Sequence, residues 1–136
     1  AHFKGLTMKK TLLASTIALA FGSAGVWANP TNNLTGDVSA TGTTALIGND
    51  ADRLDKAFAK ELVEANASIL GIKNRGVLSE SDSHRGSLGL MREQGTVALL
   101  EICFISNADD LQKYQKNKMT LASKIAEILE RYEKLV

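Results

Sequence analysis

The sequence predicts an α/β fold, a mixed or parallel sheet flanked by helices. Three observations carry that expectation. Val97–Ile105, VALLEICFI, is apolar at every position but one, the pattern of a strand covered on both faces. Ala51, Leu54, Phe58, Leu62, Ala65 and Ile69 recur at intervals of three and four, which is one face of an amphipathic helix. Leu121, Ile125, Ile128, Leu129, Tyr132 and Leu135 mark a second such helix, with Lys124, Glu127, Arg131 and Lys134 off that face.

Taken in order, the chain opens on an address rather than a domain. MKKTLLASTIALAFGSAGVWA, from Met8, has a charged start, an apolar run over Thr11–Phe21, and Val26-Trp27-Ala28 at the −3 to −1 positions of a cleavage site. Residues 1–28 therefore read as a bacterial export signal, too short in its apolar part for a comfortable membrane span. A core helix rich in alanine and leucine is the alternative. The reading places the protein outside the cytoplasm, periplasmic or extracellular, in contact with a membrane only through the uncleaved signal. Seven residues, AHFKGLT, precede Met8, so the chain reads as one that begins upstream of a true start, or as a fragment or fusion.

Residues 29–42 are polar and broken by Pro30, Gly36 and Gly42, a linker. Residues 43–136 form the domain. Thr43–Gly48 is a short strand, and Asn49 or Asp50 caps the helix that Gly71 ends. Lys73–Arg85 is polar, with a turn at Gly76. Ser87–Met91 reads as a second strand and Val97–Ile105 as the third. Ser106 or Asn107 caps the last helix, whose first turn takes Asp109 and Asp110. Its charged face is solvated, with (i, i+4) pairs such as Glu127 and Arg131.

The totals narrow the function classes. At 136 residues there is room for one domain and not comfortably two. A net charge of +1 and few aromatics give no footprint for nucleic acid. One cysteine, Cys103, excludes an internal disulfide framework, and only His2 and His84 supply imidazole.

One residue breaks the pattern. Glu101 stands in the middle of the apolar run, where a buried carboxylate costs several kcal/mol unless it is paired or changes protonation. Arg75, Arg85 and Arg92 are its candidate structural partners, and a working site is the alternative. Cys103 with His84 would suggest a cysteine hydrolase. An apolar setting raises a thiol pKa, however, so Cys103 reads as core and His84 as a loop residue able to contact substrate. Arg75 and Arg92 suit either salt bridges or bidentate binding of carboxylates.

GIKNRGV at Gly71–Val77, LGLMRE at Leu88–Glu93 and VALLEICFISNADD at Val97–Asp110 occur in that order before an amphipathic helix. GTTALIGNDADRLDKAFAKEL precedes them. Together they resemble the C-terminal half of zinc-dependent N-acetylmuramoyl-L-alanine amidases of the phage endolysin type, over about residues 42–136. The resemblance implies a three-layer fold, here incomplete on its N-terminal side, and peptidoglycan as partner. It implies hydrolysis of the amide between N-acetylmuramic acid and L-alanine, with Glu101 at the position of the catalytic glutamate. Arg75, Arg92 and His84 become its substrate-binding candidates.

The same resemblance implies zinc, held by two histidines and a glutamate in G-H-G and S-I-H-x-N contexts of the N-terminal half. Neither motif occurs here. AHFK at Ala1–Lys4 matches the second only at His2, so no metal ligand is assigned. A catalytic zinc takes three protein ligands as a rule. The expectation is an amidase-derived chain that is truncated and inactive alone. The alternatives are a non-catalytic cell-wall-binding module and a non-functional fusion fragment.

Overall fold

The computed structural model describes residues 15–22 and 38–135. Most of the segment read as an export signal, His2 included, lies outside them, as does most of the linker. The elements run β1 (Ser15–Gly22), β2 (Thr43–Ile47), α1 (Arg53–Leu70), β3 (Asn74–Ser79), a single 3₁₀ turn (Gly89–Arg92), β4 (Thr96–Phe104) and α2 (Ala108–Glu133). The sheet order is β1-β4-β2-β3. β1 runs parallel to β4 and β2 parallel to β3, while β2 and β4 are antiparallel, so the sheet is mixed.

Side-chain alternation decides what each face of the sheet does. Ala45 and Ile47 of β2, with Ala98, Leu100 and Ile102 of β4, pack against Phe58, Leu62 and Val63 of α1 and Leu121, Ile125, Ile128 and Tyr132 of α2. Both helices thus share one core with one face of the sheet. On the other face Leu46 and Val97 meet Met91 of the 3₁₀ turn in a smaller cluster. Thr44 and Glu101, directly opposite each other in the β2–β4 pair, belong to that second face.

The helix ends follow from local chemistry. Asp52 caps α1: its carboxylate accepts from Asp55 N at 2.8 Å, and Asp55 accepts from Asp52 N at 3.0 Å. This reciprocal box fixes the start three residues later than Asn49 would and two later than Asp50 would. Gly71 closes the helix in the left-handed conformation, at φ 67°. Asn107 caps α2, accepting from Asp110 N at 3.0 Å.

Two sequence expectations change. Ser87–Met91 is not a strand: Gly89–Arg92 turns as 3₁₀ and drops Met91 onto the small cluster. A short apolar run fits either form, and here packing chooses. A strand, β3, lies within the polar Lys73–Arg85 segment instead. β3 is an edge strand, largely exposed, so polar residues suit it. Its turn residue Gly76, at φ 86°, sits within the strand, with Asn74 Oδ1 accepting from Gly76 N at 2.8 Å.

The charged face of α2 also pairs differently. Arg131 bonds across to Glu61 of α1, and Glu127 takes Lys124 instead. Burial alone would push the Glu61 carboxyl up. The Arg131 guanidinium and the Tyr132 hydroxyl outweigh it and hold Glu61 below the usual range. Tyr132 is pushed up to about 12 by burial and by that same bond. A depressed carboxyl stabilises the fold above its unfolded pKa and ceases to as pH falls through the folded value. Glu61→Gln is therefore expected to lower the urea midpoint at neutral pH only modestly, because the pair is half exposed. Wild type and variant should begin to converge as pH falls below 4.5 and meet once it passes the lower folded value. Urea titrations at pH 7 and pH 3 check this.

Candidate functional site

The site is built at the C-terminal end of β4. Along β1 the pairing advances from Ala20↔Glu101 to Gly22↔Phe104, so β4 holds one residue more than its partner there. Such a bulge re-aims side chains. Ile102 and Cys103 are both buried in the main core, and Phe104 joins Glu101 on the opposite face. Thr43 Oγ1 donates to the Glu101 carbonyl at 2.6 Å, which fixes the strand at this point.

Glu101 is half-buried in a cleft of about 150 Å³ with Thr44, Arg75, Ser83, Arg85 and Phe104. Its Oε1 lies 2.6 Å from Arg85 Nη2. The Arg75 guanidinium stacks over the Phe104 ring, 5.1 Å from its centroid. Arg85 comes from the loop between β3 and the 3₁₀ turn, and a buried carboxylate, Glu80, organises that loop. Glu80 accepts from Leu88 N at 2.6 Å and from Asn49 N at 3.2 Å. Ser83 Oγ donates to the Glu80 carbonyl at 2.7 Å, and Ser79 Oγ to Asp82 at 2.8 Å. At the loop tip His84 adopts φ 58° and Gly86 φ 72°, so Arg85 is set between two left-handed residues.

Of the residues singled out in the sequence, the structure brings Glu101 and Arg75 into one cleft. His84 is exposed and does not line it. Arg92 bonds instead to Ser87 Oγ, at 2.6 Å, and is exposed. Arg85, which the sequence offers only as a structural partner of Glu101, is the one that contacts it. Cys103 is buried and its thiol is pushed up to about 11, first by burial and then by the nearby Asp110 carboxylate. It stays protonated at neutral pH and is no nucleophile.

The family model described as N-acetylmuramoyl-L-alanine amidase matches residues 31–131, most of the chain. The chain belongs to this amidase family. Solved amidases share its fold. Similar structures include the catalytic domain of CwlV, N-acetylmuramoyl-L-alanine amidase from Bacillus (Paenibacillus) polymyxa var. colistinus, at 19% identity and TM-score 0.64, covering 90% of this chain and 59% of that one. The N-acetylmuramoyl-L-alanine amidase from Clostridium difficile 630 aligns at 17% identity and TM-score 0.66, covering 93% and 64%. A putative one from Neisseria meningitidis aligns at 22% identity and TM-score 0.62, covering 90% and 60%. The chain thus spans about three fifths of the length of these proteins. No curated protein sequence matches it significantly.

The amidase resemblance implies zinc, and the cleft around Glu101 does not fit one. A catalytic zinc needs three nitrogen, sulfur or carboxylate ligands about 2.0–2.3 Å away. Glu101 faces two guanidiniums and hydroxyls instead. No group of three or more His, Cys, Asp or Glu suited to a metal occurs among the described residues. Nor is any helix among them long and apolar enough to cross a membrane.

Proposed function

We propose that this amidase-family chain binds peptidoglycan through the Glu101 cleft and does not cut it alone. Glu101 stands where a peptidoglycan amidase needs a proton-transfer group, at the bond between N-acetylmuramic acid and L-alanine. The observation that carries the reading is a half-buried carboxylate on a rigid strand, facing solvent through a cleft lined by two arginines. A strand mount keeps such a group in place, and its carboxylate can take a proton from water and return one to a leaving amide nitrogen.

Magnitudes argue against turnover by this chain. General acid–base assistance is worth roughly 10²–10⁴-fold, while enzymes reach about 10⁶-fold or more. The remainder has to come from a group that activates water, and the cleft residues supply none. The arginines suit the anionic parts of a muropeptide, by bidentate contact. Because the polymer lies outside the cytoplasmic membrane, the export-signal reading of residues 1–28 accords with this role. Cleavage after Ala28 would remove β1 with the signal and leave β4 at the sheet edge.

Co-sedimentation with purified peptidoglycan tests the binding, and labelling of new L-alanine amino termini tests the cutting, each with zinc and with chelator. Retention in both conditions with no new termini is the expected result. Loss of retention overturns the binding role. New termini together with stoichiometric bound zinc overturn the claim of inactivity.

A further inference from the structure

We propose that the Glu101 cleft is a carboxylate-exchange site, in which Arg85 holds Glu101 in the free chain and passes to a carboxylate of the bound muramyl peptide. The inference rests on the peptidoglycan reading above and names the part of the ligand that the cleft takes.

Size comes first. At about 150 Å³ the cleft holds some five waters' worth of space, at about 30 Å³ each. Whole-ligand pockets start at about 300 Å³. The cleft itself is therefore a subsite for one charged group, with the rest of a muramyl peptide lying outside it.

Charge comes second. Two guanidiniums, Arg75 and Arg85, face one carboxylate, Glu101. Arg75 lies over Phe104 and makes no ion pair among the described residues. A second carboxylate is the group that balances the cleft.

Mobility and cost decide the mechanism. Glu101 is fixed on β4 and its side chain is only 14% exposed, whereas Arg85 is 49% exposed on a loop tip. The arginine is the partner that can move. Its loop is anchored at the base, by Glu80 to Leu88 N and Asn49 N, so the tip can shift while the base holds. Trading one carboxylate for another keeps the number of charge-assisted bonds to Arg85 unchanged, and Arg75 in the same cleft remains to face the released Glu101. Two carboxylates crowded on the same guanidinium would repel, so Arg85 leaves Glu101 as it takes up the ligand. Released, Glu101 faces the peptide. Arg85 is a positioning residue in this scheme.

Competition gives a signature that a merely structural ion pair does not. Isothermal titration with N-acetylmuramyl-L-alanyl-D-glutamate and with its diamide reads it. Wild type is expected to bind the acid about tenfold tighter than the diamide, equivalent to about 1.4 kcal/mol. Glu101→Gln removes the internal competitor and is expected to tighten the acid several-fold. Arg85→Gln is expected to weaken the acid about tenfold and leave the diamide unchanged, with Arg85→Lys between them. Should Arg85→Gln fail to fold by circular dichroism, the Glu101→Gln arm still decides. Acid binding by wild type that Glu101→Gln weakens or leaves unchanged overturns the exchange and spares the peptidoglycan reading. Failure of wild type to bind either probe overturns both.

Discussion

Phe58→Ala is expected to lower the unfolding free energy by about 3–5 kcal/mol, the usual cost of emptying an aromatic site in a core. Phe58 is fully buried, and its ring lies 4.9 Å from that of Tyr132, tilted by 52°. It is one of the side chains through which α1, α2 and the sheet share one core. Truncation removes the transfer energy of the ring and leaves a cavity that three rigid elements cannot all close at once. A domain of this size has about 5–15 kcal/mol in total, so the variant sits near the threshold of folding. Urea titration by circular dichroism measures the loss, and Phe58→Leu should recover most of it. The cleft lies on the opposite face of the sheet, so the fraction that stays folded should keep its affinity for the acidic muramyl dipeptide. An unchanged midpoint would mean that the core does not depend on this ring.

What the sequence made legible follows from what periodicity can encode. α1, β4 and α2 announce themselves because each buries a continuous stripe, and a stripe has a period. β3 has none to show. As an edge strand with Asn74 and Arg75 exposed, it is held by the backbone pairs of β2, not by a pattern of its own. The 3₁₀ turn escapes the pattern for the complementary reason: Ser87–Met91 is apolar enough for a strand, but its only buried residue is Met91.

The site divides the same way. Glu101 was visible as an acid in an apolar run. That Arg85 is its partner, from among three arginines, depends on the loop between β3 and the 3₁₀ turn, and that loop on Glu80, 8% exposed and bonded to Asn49 N far back in the chain. Such contacts leave no local signal. The bulge that brings Phe104 beside Glu101 is equally silent, since an extra residue in β4 only shows against β1.

Asp110 is the sharpest case of a residue whose sequence reading was true and small. The sequence makes it an acid in the first turn of α2, favourable near the helix N-terminus, and it is that. The structure adds a larger duty. Its buried carboxylate accepts from Thr41 Oγ1, from Gly42 N at 3.0 Å and from Phe104 N at 3.3 Å. One side chain thus ties the start of β2, the end of β4 and the start of α2, with neutral donors and without a cation. Asp110→Ala leaves the Gly42 and Phe104 amides without their acceptor, at about 1–3 kcal/mol for each buried donor. The expected loss is about 3 kcal/mol.

Gly42 packs closely against the start of β3. It holds φ +110°, and the carbonyl of Lys73 stands 2.6 Å from where a Cβ would be. The Arg75 stem packs against the same point, with Cγ and Cδ at 3.0 Å. Loosening Gly42 therefore loosens the wall on which Arg75 stands, and Phe104, the ring beneath its guanidinium, is freed at the same time. Stability and acid-probe affinity should fall together in Asp110→Ala, unlike in Phe58→Ala, where affinity holds. Asp110→Asn should lie between, since its amide keeps one acceptor and turns a donor toward a donor. Amide exchange reads the cause directly: Gly42 N–H should be protected in wild type and exchange rapidly in the alanine variant. A urea midpoint that does not move, with Gly42 still protected, would show that the carboxylate is dispensable to this junction.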